Sequence, residues 1–323
     1  MTQSGILAVR LGSMGDILHT LPAVATLRES FPGTPITWLV ESKWLPLLEE
    51  NPDVSEVATL NRSSLRCLVA SLRRVRTRRW AAAIDFQGLL KSATCAKLSG
   101  APRIYGFAKG QLREPAAAIL YSDQIAACSA HVVEMNLELV RAAGASEIAR
   151  RFAIPPGRPE GELPEGDFVL ANPFAGWRAK EWPLERFSML AMRIREELAM
   201  PLVLNGSPES EAMLRAAPGV HVHLSGLAGL IDATRRARAV VGLDSGPMHL
   251  AAALGKPGVA IFGPTDPARN GPYGDSFRVV RSRDAVSSYK RRDEYDAAIL
   301  AISVDEVVEA LQEQLSTPAR QGE

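Results

Sequence analysis

Two glycine-bearing corners of the chain carry residue types from which a reaction could be built. At Val240-Val241-Gly242-Leu243-Asp244-Ser245-Gly246-Pro247-Met248-His249-Leu250, an apolar run ends in an acid and a hydroxyl, and Pro247 falls at a first helical position. Gly255 and Pro257 stop that helix after about two turns. Ser245 or Gly246 then stands near the N-cap and His249 in the first turn, where unpaired N–H groups and the helix dipole favour phosphate. A purely local role also fits, with Asp244 and Ser245 capping the helix while His249 packs or faces solvent.

The second corner is Arg10-Leu11-Gly12-Ser13-Met14-Gly15-Asp16-Ile17-Leu18-His19-Thr20-Leu21-Pro22-Ala23. Its glycines admit close backbone approach, but their spacing is not the dinucleotide fingerprint and the Lys-Ser/Thr of a P-loop is missing, which excludes an NAD or ATPase reading. Asp16 sits at the expected helix start, where the dipole favours its carboxylate and aims it out of the sheet edge, as a general base or as a cap. Pro22 kinks or restarts the helix.

Fewer features surround these corners. Lys180, in Phe174-Ala175-Gly176-Trp177-Arg178-Ala179-Lys180-Glu181-Trp182-Pro183, stands at a helix entrance, where by itself it fits a surface lysine. Glu209 or Glu211, after Asn205-Gly206-Ser207, can accept from ribose hydroxyls or simply charge a helix surface; Glu209 is preferred. Arg66, Arg73, Arg74, Arg76, Arg78 and Arg79 crowd one helix whose apolar side is Leu68, Val69, Leu72 and Val75, which suits an anionic membrane surface or a solvated face. His221 and His223 alternate along a strand without ligand spacing and are expected to be structural, and His131 has no derivable role.

The elements that must position these residues alternate strand and helix, which indicates parallel α/β architecture. Strands are expected at 6–11, 36–40, 54–60, 82–86 and 103–107, then at 168–171, 202–205, 220–224, 239–243 and 258–262. Helices such as 184–198 lie between them, and the Pro-, Gly- and Glu-rich stretch 154–167 separates the halves. The expectation is two doubly wound, Rossmann-like domains facing a central cleft, residues 1–158 and 159–323, with the final helix at 304–315 able to pack back on the first.

A chain of 323 residues with 46% hydrophobic and 23% charged residues and a net charge of +1 has ample core and no general basic character for nucleic acid. Cys67, Cys95 and Cys128 are scattered without a Cys-x-x-Cys pair, which argues against a zinc site or a disulfide framework and for a reducing, cytosolic setting. The start of the chain lacks the apolar core of a signal peptide, and no apolar run approaches ~20 residues. No membrane span is expected.

Together, Gly12–Ala23, Asp244–Leu254 and Phe262-Gly263-Pro264-Thr265-Asp266-Pro267 resemble the family 9 glycosyltransferases, the lipopolysaccharide heptosyltransferases. Ala83-Ile84-Asp85-Phe86-Gln87-Gly88-Leu89-Leu90-Lys91-Ser92-Ala93 and Arg113-Glu114-Pro115 are more similar to heptosyltransferase I than to heptosyltransferase II. The resemblance covers nearly the whole chain. It implies a GT-B fold with the acceptor on the first domain and the nucleotide sugar on the second. It also implies inverting transfer of L-glycero-D-manno-heptose from ADP-heptose to Kdo of Kdo-lipid A, at the cytoplasmic face of the inner membrane.

By that resemblance Asp16 is the base, Lys180 binds the donor phosphates with Gly176 and His249 near, and Asp244, Ser245 and Gly246 hold the heptose and its phosphate linkage. Lys91 and Arg113 face the acceptor, whose carboxylates and phosphates suit them. No Asp-x-Asp pair is present, so cations and backbone dipoles are expected to replace a divalent metal, and no cofactor is expected. Ala175-Gly176 stands where heptosyltransferase I often has a threonine pair. That departure leaves open another nucleotide sugar or acceptor, or a non-catalytic scaffold that binds a sugar nucleotide.

Overall fold

A computed structural model describes residues 4–316, which divide after Pro155 into two compact units. The first unit contains six strands: β1 (Gly5–Val9), β2 (Ile36–Glu41), β3 (Glu56–Leu60), β4 (Trp80–Asp85), β5 (Ile104–Phe107) and β6 (Asp123–Ile125). They form one parallel sheet in the order β3-β2-β1-β4-β5-β6. All five residues of β1 are buried, as a central parallel strand covered on both faces requires. Leu7, Val9, Ala83 and Ile104 on one face meet Val75, Ala93, Ala96, Ala117 and Tyr121 from the segments Leu65–Arg76, Leu90–Leu98 and Pro115–Leu120. Chain order reverses between β1 and β4, the point at whose carboxyl edge doubly wound sheets bind ligands.

The second unit repeats the pattern with β7 (Val169–Asn172), β8 (Leu202–Gly206), β9 (His221–Leu224), β10 (Ala239–Leu243), β11 (Gly258–Phe262) and β12 (Phe277–Arg281). Their parallel order, β12-β11-β10-β7-β8-β9, is the same topology with its switch point between β7 and β10. The Leu184–Leu198 helix lies where its apolar period places it, burying Phe187, Leu190, Ala191 and Ile194. Pro22 restarts rather than kinks its helix: Met14–Leu18 ends, and Leu21–Ser30 begins with Pro22 in its first turn.

Three features differ from the sequence reading. The edge strands β6 and β12 were not anticipated. The final helix, Val304–Ser316, packs in the second core, where Val304, Val307, Val308 and Leu311 join Val259, Ile261 and Ile194. Finally, the division falls after Pro155, and 156–162 are bound to the second unit instead of forming a free linker. Arg158 N–H donates to Ala228 O at 3.1 Å, and the Glu160 carboxylate accepts from Gly226 N–H at 2.6 Å. His223 Nε2 meets Glu160 O at 2.6 Å and His221 Nε2 meets Glu162 O at 3.0 Å, which is the structural role expected of both rings. Burial pushes the His223 pKa down.

Gly106 in β5 makes room for a polar brace. A Cβ there would stand 2.2 Å from the Tyr121 ring, whose hydroxyl donates to Asp85 Oδ2 at 2.7 Å. Gly106→Ala is expected to destabilise the first unit by about 2 kcal/mol, measured by denaturant unfolding. Gly176→Ala, where a Cβ would meet nothing within 4 Å, should change stability little in the same experiment.

Candidate functional site

The site residues fall into two groups, one at the carboxyl edge of each sheet. In the first unit, β1 runs into Arg10, a buried arginine whose guanidinium donates to Phe86 O and pairs with Asp16 Oδ1. Asp16 is the third residue of its helix, and its Oδ2 accepts from both the Ser13 N–H and the Ser13 hydroxyl at 3.0 Å. The capping role is therefore real, yet the side chain remains 41% exposed and open to a partner from solvent. Partial enclosure by itself raises the Asp16 pKa. Arg10 and the two Ser13 donors outweigh it and hold the carboxyl below its ordinary value. Gly12 permits close contact with Trp44, whose indole nitrogen lies 2.6 Å from where a Cβ would stand.

The Asp85–Leu89 turn fixes this corner from behind. Buried Asp85 accepts from Tyr121, from the Ser92 hydroxyl at 2.9 Å and from Gln87 N–H at 2.9 Å. Burial raises its pKa despite these donors. The turn so shaped presents Phe86 O to Arg10 and Gln87 Oε1 to Leu11 N–H at 2.9 Å. Lys91, one turn on, bonds Glu41 Oε1 at 3.3 Å, and Arg62 reaches the same oxygen at 3.0 Å. Burial favours the neutral form of Glu41, but Arg62 and Lys91 bring its pKa below normal. Glu114 Oε2 accepts from Leu90 N–H at 2.7 Å, so exposed Arg113 is brought beside the helix start that carries Lys91.

In the second unit, the loops after β7, β10 and β11 converge on Asp244. Its Oδ2 meets Lys180 Nζ at 2.5 Å and accepts from Thr265 Oγ1 at 2.5 Å, while its Oδ1 lies 3.7 Å from His249 Nε2. Asp244 and His249 are each 6% exposed. Burial opposes ionisation of Asp244, but His249 and Lys180 overcome it and depress its pKa to about 2. The Lys180 ammonium also sits 5.0 Å from the Trp177 ring centroid.

Ser245 is the N-cap of the Gly246–Ala253 helix, and its buried hydroxyl has no hydrogen-bond partner among the described residues. That hydroxyl and the first-turn N–H groups supply donors in one place, which suits a phosphate oxygen. Gly176 lies in the loop that carries Lys180, a loop tied by Ala175 N–H to Glu181 Oε1 at 3.2 Å. Glu209 and Glu211 separate clearly. Glu211 is engaged by Arg215 at 2.8 Å one helical turn on, while Glu209 stands in the Pro208–Ser210 turn beyond β8, its pKa lowered by Ser207 and its own N–H. Among the described residues, no three His, Cys, Asp or Glu side chains gather as a metal site.

Sequence reasoning missed Arg10, Glu41 and Thr265 as members of these groups. Arg10 offered a signal, an arginine closing an otherwise apolar strand six residues before the acid it pairs with.

Comparison with known proteins adds a family to this geometry. Residues 68–298 match the family described as Glycosyltransferase family 9 (heptosyltransferase). The chain is 30% identical over 296 residues to Lipopolysaccharide heptosyltransferase 1 of Pseudomonas aeruginosa, covering 84% of this chain and 82% of that one. Structures of the E. coli heptosyltransferase WaaC with ADP and with ADP-2-deoxy-2-fluoro heptose are 24% identical to it. They align with a TM-score of 0.75, over 96% and 95% of this chain and 99% of theirs. The E. coli ADP-heptose lps heptosyltransferase II, 23% identical, aligns at 0.75 over 96% of this chain and 98% of its own.

Proposed function

Because this chain belongs to glycosyltransferase family 9, the heptosyltransferase family, and has the GT-B fold of two Rossmann-like units, we propose that it transfers L-glycero-D-manno-heptose from ADP-heptose to Kdo of Kdo-lipid A. It is a glycosyltransferase; the donor, the acceptor and the place of action are the proposal. Lipid A is a lipid, so this reading puts the reaction at a membrane, at the cytoplasmic face of the inner membrane, with the enzyme peripheral to it. The observation that carries the donor half is the Lys180–Asp244–His249 group beside a helix start with an unpartnered serine hydroxyl.

On this reading, Asp16 takes the proton of the attacking Kdo hydroxyl as the anomeric carbon develops oxocarbenium character. The hydroxyl adds to the face opposite ADP, the glycosidic C–O bond to phosphate breaks, and configuration inverts. Asp16 is a weak base, so position and late proton transfer do the work. Arg10 is its positioning residue. Lys180, His249, the Ser245 hydroxyl and the N–H groups of the Gly246–Ala253 helix take up the charge on departing diphosphate, without a metal. Asp244 holds the Lys180 ammonium in place, and Glu209 accepts from the ribose. Lys91 and Arg113 meet the acceptor anions.

Incubation of the purified protein with ADP-heptose and Kdo-lipid A should yield ADP and an acceptor heavier by one heptose, with and without a chelator. A product formed from a different sugar in a panel of nucleotide sugars, and not from ADP-heptose, would replace this donor. Loss of turnover on chelation would overturn the metal-free step.

A further inference from the structure

The helical layer over one face of the first sheet is exposed in an unusual way. On Leu65–Arg76, Leu68, Leu72 and Val75 turn inward to the core, while Leu65, Arg66, Val69, Ala70, Arg73 and Arg74 form the outward stripe. Val69 thus lies outside, not on the apolar side to which periodicity assigned it. Leu65 is 78% exposed, and the two neighbouring segments of the same layer expose Leu98 and, at 82%, Ile119. A solvated helix face has no need of these aliphatic side chains.

Charge on this layer is one-sided. Residues 57–84 contain seven arginines and no acid. Arg62 and Arg78 reach Glu41 and Glu56, which lie outside the segment, but no hydrogen bond or ion pair engages the guanidinium of Arg66, Arg73 or Arg74 among the described residues. Arg76 is seated against Gly100, where a Cβ would collide with its guanidinium, and so locks this helix to Leu90–Leu98. The layer is continuous with the acceptor candidates: Leu90–Leu98 carries Lys91, and Arg113 stands two residues before Pro115–Leu120.

We propose that the outer face of this layer, Leu65, Val69 and Ile119 among Arg66, Arg73 and Arg74, docks on an anionic lipid surface. Arginines attract anionic headgroups over a Debye length, and short aliphatic side chains entering the headgroup region add apolar area. Nucleic acid shares the charge preference but offers nothing to exposed leucine, valine and isoleucine, and the layer's outer stripe has no aromatic residue for stacking on bases. The proposal rests on the reading of a lipid-borne acceptor, because docking here would bring Lys91 and Arg113 to headgroup level. It concerns a different event from heptose transfer.

The full chain, without donor or acceptor, is sedimented with vesicles of phosphatidylcholine alone or mixed with phosphatidylglycerol. Binding to the anionic vesicles that weakens as salt rises is expected. The charge reversal Arg73→Glu with Arg74→Glu should lower the partition coefficient by more than about tenfold. Leu65→Ser with Ile119→Ser should remove the binding that survives in high salt. Far-UV circular dichroism and the thermal unfolding profile should be unchanged in both variants, which shows that they fold. Equal binding to neutral vesicles, full binding by the charge-reversed variant, or capture of a DNA duplex in preference to anionic vesicles would each overturn the proposal. Because no sugar is present, a failed heptose assay leaves this result standing, and the converse holds as well.

Discussion

Asp16→Asn is expected to reduce turnover by about a thousandfold, near 4 kcal/mol of barrier, while leaving the affinity for ADP unchanged. Asparagine has nearly the same shape and can still meet Ser13 through its carbonyl oxygen, so the corner should keep its fold. What disappears is the capacity to accept a proton and the pairing with Arg10. The pH profile gives an independent check with a definite sign. Arg10 and Ser13 hold the wild-type carboxyl below its ordinary value, so the base stays ionised as pH falls into the usual carboxylate range. The acid limb of kcat/KM should therefore lie lower than for an unassisted aspartate. In Arg10→Met the limb should move up in pH, whereas a purely structural arginine would alter stability and leave the limb in place. Turnover retained in Asp16→Asn would remove the base assignment.

Lys180→Ala should act on the other substrate. Loss of the cation is expected to weaken ADP binding by about 2–3 kcal/mol, roughly a hundredfold in Kd by calorimetric titration, and to slow transfer as well. It also leaves Asp244, 6% exposed, without its nearest positive charge, so the variant should be less stable at neutral pH. Asp244 is a carboxyl whose folded pKa is depressed, to about 2, so in the wild type its contribution is complete above the unfolded value of ~3.9 and is lost as pH falls toward the folded one. With Lys180 gone the folded pKa rises, and the stability difference between variant and wild type should narrow in acid. Unchanged ADP affinity would count against the phosphate role of Lys180.

The parts of this molecule that sequence made legible are those governed by nearest neighbours. β1, β10 and β11 are uninterrupted apolar runs, and central parallel strands look like nothing else. Two of the edge strands lack any such signal: β6 is Asp-Gln-Ile, and β12 places an arginine at its second and last positions. Asp16, Lys180, Asp244 and His249 could be picked out because acid, cation and imidazole stood at glycine-bearing corners. Glu41 and Thr265 could not, since the first acts on a lysine 50 residues away and the second on an acid 21 residues away, and only the sheet order joins them. Val69 failed for a related reason: its neighbour Leu68 is the one that packs on the core, and one helical position is enough to turn a side chain outward.

The repeated strand order has a thermodynamic consequence. Each half closes a six-stranded sheet over apolar residues of its own, and Arg158, Glu160 and Glu162 in the strap at 156–162 bond to the second half. A chain with two such cores is expected to melt in two transitions by calorimetry, in which case no single free energy of unfolding describes it. A nucleotide that binds only the later block stabilises that block by mass action, and the gap between the two transitions widens with nucleotide concentration.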